Sequence, residues 1–288
     1  MRLIDHLKAQ GHSNRVARDL MKTGKVLVGG VPTADPGREV DPTRVEVRMN
    51  APRLRVGRDL AIIWRDSDVA VVWKPPNMLS VAAPRRGSDD NLVSLVARIF
   101  GEAHPIHRLD EPTSGVMMVG LSKRGQKEMK ELLFEHRIER RYLAIIRGKP
   151  DHRPFSVKNR LVEDRGDGRR GAGTGPDAKP ATTHFRLVET LSPNHALIEA
   201  QLETGRTHQV RIHLSERGYP VLGDVLYANR GVASEAPRLA LHAWKLGFVH
   251  PFTNVRLNFE APLADDLEHL RRDLLAGREP TTPRKHRQ

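Results

Sequence analysis

An aspartate that precedes a tight turn and an uncharged run is the feature of this sequence best suited to chemistry. Asp110 stands just ahead of the turn-forming residues 112–115 (Pro-Thr-Ser-Gly), and residues 116–121 carry no charge. Such a short run is typical of a β-strand that is buried on both faces. The pattern therefore places a carboxylate at the edge of a core strand, where burial and neighbouring groups can tune it for chemistry. An aspartate that only caps the turn through its own backbone fits the same residues.

The charge balance of the chain points to a polyanionic partner. The 288 residues include 48 lysines and arginines against 35 aspartates and glutamates, a net charge of +13. So much positive charge favours RNA or DNA as the partner, ahead of an anionic membrane surface. A basic protein that is merely soluble is the alternative at this stage.

Cysteine usage and hydropathy narrow the classes of protein further. The sequence contains no cysteine, which excludes a disulfide framework, cysteine-ligated zinc and thiol nucleophiles and is compatible with a reducing cytosol. The charged residues 1–8 are unlike a secretory signal, and no run approaches the roughly 18 apolar residues of a membrane span. We therefore expect a cytoplasmic protein with no membrane segment.

Residues 1–50 are expected to form a compact unit of two helices and a small sheet. Ser13 is a suitable N-cap for the second helix, Gly24 is expected to end it, and a turn at Gly29-Gly30 follows the strand at residues 26–28. Val45 and Val47 alternate with polar residues and predict a closing strand. The two helices each have an apolar face, formed by Leu3, Ile4 and Leu7 in the first and by Val16, Leu20 and Met21 in the second.

The remaining residues are expected to form a larger domain over residues 59–276, joined to the first by a linker at 51–58. Residues 164–178 contain five glycines and predict a mobile loop, and the basic tail at 277–288 predicts disorder. Apolar periodicity within the larger domain predicts helices over 90–101 and 123–136, and strands over 62–64, 69–73, 142–146, 184–188, 195–202 and 210–213.

An ordered set of motifs resembles those of the RluA-type pseudouridine synthases. His107-Arg108-Leu109-Asp110, followed by Thr113-Ser114-Gly115, resembles the catalytic motif of that family. A second match is Gly205-Arg206-x-His208-Gln209-x-Arg211, and it continues through residues 218–227. Smaller matches lie at residues 74–76, 141–144, 179–184 and 241–243. The set is far more specific than any single motif, because the matches occur along this chain in the same order as in the sequences of that family.

The resemblance implies an enzyme that isomerises uridine in RNA by breaking the base–ribose bond, rotating the base and rejoining it through carbon 5. It assigns Asp110 as the nucleophile, Tyr142 as the ring that packs on the uracil, and Arg211 as the counter-charge of Asp110. Whether Asp110 attacks the sugar, attacks the uracil or removes a ribose proton stays open. No cofactor and no metal ion are implied. The implied fold is mixed α/β (α+β), with a mixed, largely antiparallel sheet flanked by helices.

The strand predicted over residues 210–213 would orient Arg211. Period-2 alternation puts Gln209 and Arg211 on one face and Val210 and Ile212 on the other, so that the polar face points at the site. A guanidinium suits the role of counter-charge because it stays ionised and can bind a carboxylate through two hydrogen bonds. A surface arginine on an edge strand is the alternative.

Other basic residues are candidates for contact with RNA. A uridine within structured RNA must leave its stack to reach Asp110, and the resemblance implies that Arg108 assists this rearrangement. A structural salt bridge is the alternative for Arg108. His107, Arg206 and His208 are expected to shape the pocket or to meet phosphate.

The N-terminal residues resemble the ribosomal-protein-S-four-like RNA-binding module, on the pattern Ser13-Asn14-Arg15, Leu20, Gly24-x-Val26-x-Val28. Residues 1–58 hold 12 lysines and arginines against six aspartates and glutamates, a net of +6. In the family this module accompanies enzymes that modify large-subunit ribosomal RNA, which favours that target over transfer RNA. We expect a monomer. The basic residues expected on or beside the second helix, as phosphate contacts, are Arg15, Arg18, Lys22 and Lys25.

Two other classes of protein remain to be considered. A metal site could be suggested from His104, His107 and Asp110 with other histidines, but the spacing fits no standard signature and a metal on Asp110 would quench the nucleophile. A noncatalytic RNA-binding or ribosome-assembly protein would use the basic segments equally well. The combination of Asp110, Tyr142 and Arg211 favours the enzyme, because a protein that only binds RNA has no use for a tuned acid.

Overall fold

The computed structural model describes residues 1–22, 25–28, 31–33, 35–47, 55–56, 60–82, 91–167 and 169–278. The chain divides into two compact units. The first unit comprises Met1–Ile138 with Trp244–Pro262, and the second comprises Glu139–Ala243 with Leu263–Gln288. Each unit combines helices with antiparallel strand pairs, which confirms the predicted α+β class. The domain boundaries expected at residues 50 and 59 stay a prediction.

The elements are numbered in chain order. The helices are α1 (Leu3–Ala9), α2 (Asn14–Lys22), α3 (Leu92–Phe100), α4 (Lys123–Phe134), α5 (Gln209–Glu216), α6 (Arg230–Ala233) and α7 (Asp265–Leu275). The strands are β1 (Val26–Val28), β2 (Val31–Pro32), β3 (Val45–Val47), β4 (Arg55–Val56), β5 (Leu60–Arg65), β6 (Val69–Lys74), β7 (His104–Pro105), β8 (Ser114–Gly120), β9 (Glu139–Arg147), β10 (Phe155–Val162), β11 (Gly171–Ala172), β12 (Lys179–Ser192), β13 (His195–Leu202), β14 (Leu241–Val249) and β15 (Arg256–Glu260). None of the described helices is long and apolar enough to cross a membrane.

The N-terminal elements pack around a small apolar core, with β1 paired to β2 and β3. The predicted apolar faces of α1 and α2 are buried, except that Val16 is exposed and Ala17 is buried in its place. Ala17, Leu20 and Met21 are spaced three and four residues apart, which is the spacing of one helical face. The hydroxyl of Ser13 accepts a hydrogen bond from the Val16 amide at 3.3 Å, as expected of an N-cap.

Several sequence-based predictions fall on residues outside the described ranges. They concern the end of α2 at Gly24, the Gly29-Gly30 turn, most of the linker, and the tail from residue 279. The register of β1 with β2 pairs Val28 with Val31, which agrees with a hairpin. Within the predicted linker, Arg55–Val56 form β4 and pair with β5, so this part of the segment extends a sheet.

The strands that lead to Asp110 belong to the first unit. β6 pairs with β5 and β8, and β7 pairs with β8, all in antiparallel register. Every residue of β8 is buried, which confirms the strand predicted after the turn. The predicted helix at 90–101 is α3, which begins at the N-cap Asn91, and the one at 123–136 is α4, which packs against β7 and β8.

The second unit contains an antiparallel sheet of order β11-β10-β12-β13-β9. The predicted strands at 142–146, 184–188 and 195–202 are present as parts of β9, β12 and β13. The glycine-rich segment 164–178 is not wholly a loop, because Gly171–Ala172 pairs with β10. α5 and α7 pack against β12.

The strand predicted over residues 210–213 is wrong, because these residues lie in α5. All residues from Gln209 to Leu214 are buried, and a short run that is buried on every side has no periodicity that separates a strand from a helix. His208 precedes the helix with φ 60°, and its carbonyl accepts the Ile212 amide at 3.0 Å. The predicted shared face is lost as well, since residues two apart in a helix point about 200° apart around the axis.

Candidate active site

Asp110 lies in a tight turn between β7 and β8. The Asp110 carbonyl accepts a hydrogen bond from the Thr113 amide at 3.0 Å, and the residue is half-buried. Gly115, one residue into β8, has φ 119°, a conformation that L side chains rarely adopt. The turn and the glycine together set the direction in which the chain enters the core strand.

Lys74, the last residue of β6, holds this turn from the core side. The residue is fully buried, and its ammonium donates hydrogen bonds to the carbonyls of Pro75 at 2.9 Å, Met78 at 2.8 Å and Glu111 at 2.9 Å. Its Cα is paired with that of Gly115 across the β6–β8 ladder. The ammonium therefore ties the end of β6 to the residue that follows Asp110.

The residues just before Asp110 are fixed as well. The buried hydroxyl of Ser80 accepts from the Leu109 amide at 3.0 Å and donates to the Leu109 carbonyl at 2.8 Å. Nε2 of His107 accepts from the Met118 amide at 3.0 Å, so this nitrogen carries no proton. The backbone of the aspartate is thus anchored on both sides.

Replacing Lys74 by methionine should destabilise the protein strongly. The substitution keeps the length of the side chain but leaves three carbonyl groups without their shared donor, and each buried unsatisfied group costs about 1–3 kcal/mol. We expect the free energy of unfolding, measured by urea titration, to fall by about 3 kcal/mol. The matched control is Lys123→Met at the exposed start of α4, for which we expect a change below about 0.5 kcal/mol. Equal effects of the two substitutions would contradict the anchoring role.

Arg211 forms a buried ion pair in the second unit. Its guanidinium donates two hydrogen bonds to the carboxylate of Asp224, from Nε to Oδ2 and from Nη2 to Oδ1, each at 2.8 Å. The side chains of Arg211 and Asp224 are 4% and 1% exposed. Burial alone raises the pKa of Asp224, but the hydrogen bonds and charge of Arg211 outweigh it and hold that pKa below its usual value.

Asp224 is the partner that sequence analysis missed. Its Oδ1 also accepts the amides of Leu226 and Tyr227 at 3.0 and 3.1 Å, so the carboxylate shapes the following loop. The only sequence signal was its place in the motif that ends at Tyr227. The role of Arg211 as the counter-charge of Asp110 stays a prediction.

His208 and Tyr227 stand beside this ion pair. Nδ1 of His208 is 2.9 Å from the Tyr227 hydroxyl, and the Arg211 guanidinium carbon lies 5.1 Å from the centre of the Tyr227 ring. A cation over an aromatic ring is attracted to its face. Tyr227 therefore links the start of α5 to the Arg211 side chain.

Gln209 organises the loop that precedes α5. Its buried Oε1 accepts the Thr204 hydroxyl at 2.8 Å and the Arg206 amide at 2.9 Å. Its Nε2 donates to the Thr182 carbonyl at 3.0 Å and to the Thr183 hydroxyl at 2.9 Å. All the polar capacity of this buried amide is used, which fixes the loop against β12.

Tyr142 lies on β9, opposite Ala200 of β13, with its side chain largely buried.

His213 is buried on α5, and burial lowers its pKa to about 4. Its ring nitrogens lie 2.9 Å from the Thr183 hydroxyl and from Oδ1 of Asn159. Across the described ranges, no three histidine, aspartate or glutamate side chains are grouped so that they could hold a metal ion.

The structure distributes the predicted site residues over both units. Asp110, His107 and Arg108 belong to the first, and Arg108 is exposed. The others in the second unit are Tyr142, Arg206, His208 and Arg211. In the N-terminal residues, Arg15 and Arg18 are exposed on α2, Lys25 is half-buried, and the side chain of Lys22 lies outside the described part of the structure.

Comparison with known families identifies the class of enzyme. Residues 68–216, which include Asp110, Tyr142 and Arg211, match the family described as RNA pseudouridylate synthase. The dual-specificity RNA pseudouridine synthase RluA of Salmonella typhi is 34% identical over 203 residues, which cover 70% of this chain and 93% of the relative. The chain belongs to the RNA pseudouridylate synthase family and is an isomerase of the RluA type.

Two further matches cover more of the chain. The uncharacterized RNA pseudouridine synthase YlyB of Bacillus subtilis is 33% identical over 262 residues, which cover 87% of this chain and 86% of the relative. Among solved structures, human RNA pseudouridylate synthase domain containing 4 matches with a TM-score of 0.61 at 25% identity, covering 75% of this chain and 92% of that one. Sequence and fold therefore agree on the family.

Proposed function

We propose that this pseudouridine synthase isomerises specific uridines of structured RNA without a cofactor, with Asp110 as the nucleophile. Large-subunit ribosomal RNA is the favoured target and transfer RNA the second candidate. The reaction needs an ionised group beside the sugar, a platform for the detached uracil, and exclusion of water. Asp110 supplies the first and Tyr142 the second. A monomer acting in the cytoplasm remains the prediction from sequence.

The observation that carries this proposal is the anchored backbone around Asp110. Lys74 and Ser80 bind the main chain of the residues on either side of it, and His107 binds the strand that follows. A reacting group must be held in one position, because a displacement of about 1 Å can cost about a hundredfold in rate. A turn-capping aspartate would not need three buried or half-buried side chains to support it.

The RNA-binding role is proposed for basic groups on both units. Arg108 is exposed two residues before Asp110 and suits a contact that helps to draw the uridine out of its stack. Arg206 and His208 are half-buried in the loop before α5 and suit contacts with phosphate. The N-terminal module is proposed as a second contact, through Arg15 and Arg18 on α2 with Lys22 and Lys25.

Pseudouridine mapping of total RNA tests the proposed function and names the target. A strain without the gene should lack pseudouridine at one or more uridines, and expression of the wild-type chain should restore it where an Asp110→Asn chain does not. Both ribosomal and transfer RNA should be mapped, because the name of the relative RluA records a dual specificity. Identical maps in the two strains would contradict the proposal and favour a noncatalytic RNA-binding role.

Removing the two exposed arginines of α2 should weaken RNA binding and its dependence on salt. We expect the Arg15→Gln/Arg18→Gln double variant to lower the log–log slope of RNA affinity against salt by about two units, one for each lost phosphate contact. Substitution is preferable to deleting residues 1–58, because β2 lies against β5 and β15 within the first unit. Arg44→Gln, at an exposed arginine of the same segment outside α2, is the matched control. An unchanged slope in the double variant would mean that this face of α2 does not touch RNA.

A further inference from the structure

Arg140 is a buried arginine that lacks a carboxylate partner. It is the second residue of β9 and is only 8% exposed. One guanidinium nitrogen, Nη2, donates to the Glu203 carbonyl at 3.2 Å, whereas Nε is buried with no hydrogen-bond partner. No aspartate or glutamate in the described ranges pairs with this side chain. A buried charge without a counter-charge destabilises the folded protein, so the presence of Arg140 here calls for a reason.

The next residue of the same strand shows the ordinary arrangement. Arg141 points to the other face of β9 and donates to Glu139 at 2.6 Å and to Glu199 at 2.7 Å. Glu199 is further paired with Arg186 at 2.8 Å. Within the described part of the chain, carboxylates therefore pair with Arg141 and none pairs with Arg140.

The charged and polar groups nearest to Arg140 favour an anionic ligand. Burial lowers the pKa of Arg140, the Tyr142 hydroxyl partly offsets this effect, and the positive charge of Arg206 lowers the pKa further. Arg140 and Tyr142 are two residues apart on a strand, so their side chains share one face. Arg206 also follows Gly205, which lies against the Arg140 guanidinium, so two arginines are placed beside the proposed platform for the uracil.

Gly205 leaves the guanidinium open to approach from outside. A Cβ at residue 205 would lie 2.4 Å from Nη1 of Arg140, and Gly205 itself is exposed. At this point the backbone of Gly205, which has no side chain, covers the end of the Arg140 side chain. A ligand that reaches the backbone of Gly205 can reach this guanidinium.

We propose that Arg140, with Arg206 beside it, binds a backbone phosphate of the RNA next to the uridine whose base is held at Tyr142. The planar guanidinium offers several donors in a fixed arrangement that matches two phosphate oxygens. The phosphate supplies the counter-charge that no described carboxylate provides, so the Arg140 guanidinium is paired with an anion only when RNA is bound. This inference rests on the proposed function, because it takes RNA as the ligand and Tyr142 as the platform.

Matched substitutions on β9 separate phosphate binding from a structural role. We expect Arg140→Met to raise KM for RNA about 10- to 100-fold, as for the loss of charge-assisted hydrogen bonds, with kcat changed only a few-fold. Arg140→Lys should recover part of the loss. The melting temperature of Arg140→Met should equal or exceed that of the wild type, whereas that of Arg141→Met should fall because Glu199 loses a partner. A lower melting temperature for Arg140→Met with an unchanged KM would overturn the proposal.

A second variant and a direct measurement keep the proposal testable if Arg140→Met folds poorly. Gly205→Ala should displace the guanidinium and raise KM without removing any charge. The Nε–H resonance of Arg140, assigned by its absence in Arg140→Lys, should shift when a short oligouridylate is added. It should stay in place with the same oligomer made of neutral methylphosphonate linkages. Equal shifts with both oligomers would assign Arg140 to a base or a sugar and overturn the phosphate contact.

The resonance titration also distinguishes this proposal from the one on which it rests. It measures binding alone and needs no turnover. A wild-type chain that forms no pseudouridine in any RNA would contradict the proposed function, while the shift would still report on Arg140. Active wild-type enzyme with no shift on adding the charged oligomer would overturn the Arg140 proposal and leave the proposed function standing.

Discussion

Replacing Asp110 by asparagine should abolish pseudouridine formation and leave the affinity for RNA nearly unchanged. Asparagine has the same shape but cannot act as an ionised nucleophile, and we expect a loss of at least about a thousandfold in rate, within the range seen for such groups. The backbone bond from the Thr113 amide to the Asp110 carbonyl is untouched, so the turn is kept. Affinity persists because contacts with phosphate supply most of the binding energy.

The neighbouring glutamate provides the matched control for Asp110. Glu111 lies in the same turn and is half-buried, and its backbone carbonyl accepts a hydrogen bond from the Lys74 ammonium. Glu111→Gln keeps this backbone and the length of the side chain, so the activity should stay within a few-fold of the wild type. The measurement is pseudouridine formed in target RNA over time, with RNA affinity determined in parallel. Turnover by Asp110→Asn within about tenfold of the wild type would contradict its role as the nucleophile.

Replacing Arg211 by methionine should produce the largest loss of stability among these variants. The substitution leaves the carboxylate of Asp224 at 1% exposure without its counter-charge. Breaking a buried ion pair by removing one partner costs about 3–5 kcal/mol in the free energy of unfolding. The Arg211→Met/Asp224→Asn double variant should regain much of this loss, because asparagine is neutral and still offers an oxygen to the amides of Leu226 and Tyr227.

The pH dependence of stability gives a second measure of this pair. The pKa of Asp224 is lowered in the folded protein, so the pair contributes stability above the unfolded pKa of about 4 and loses it as the pH falls through the lower folded value. In Arg211→Met, burial alone should raise that pKa. The stability difference between the wild type and Arg211→Met should therefore shrink as the pH is lowered towards 4 and below. A difference that is constant with pH would contradict the ion pair as its source.

The same variant tests the proposed link between Arg211 and Asp110. If Arg211 is the counter-charge of Asp110, any activity that remains in Arg211→Met at a temperature where it is folded should need a higher pH, because removing a positive charge disfavours the ionised form of a carboxyl group. Arg238→Met is the control, since Arg238 donates two hydrogen bonds to Asp266 elsewhere in the second unit. We expect its pH–rate profile to match the wild type. Full activity and an unchanged profile in Arg211→Met would exclude Arg211 as the partner of Asp110.

Features that depend on neighbours in the chain were predictable from the sequence. The turn after Asp110 and the buried β8 follow from turn residues and an uncharged run, and Ser13 caps α2 as its type and position indicate. The motifs around Asp110 and Arg211 were sufficient to indicate the RluA type, which comparison with relatives bears out. These inferences need only local preferences and the order of short motifs along one chain.

Features that depend on distant residues were decided by the tertiary structure. Residues 210–213 form a helix that is buried on every side, and burial of that kind removes the periodicity by which a sequence distinguishes a helix from a strand. Lys74 reaches a carbonyl 37 residues away, and Arg211 pairs with a carboxylate 13 residues away. That no carboxylate among the described residues pairs with Arg140 is likewise visible only in the folded chain. The fold decides which polar groups come within about 3 Å of a side chain and can bond to it. Residue type and spacing along the chain do not specify those neighbours.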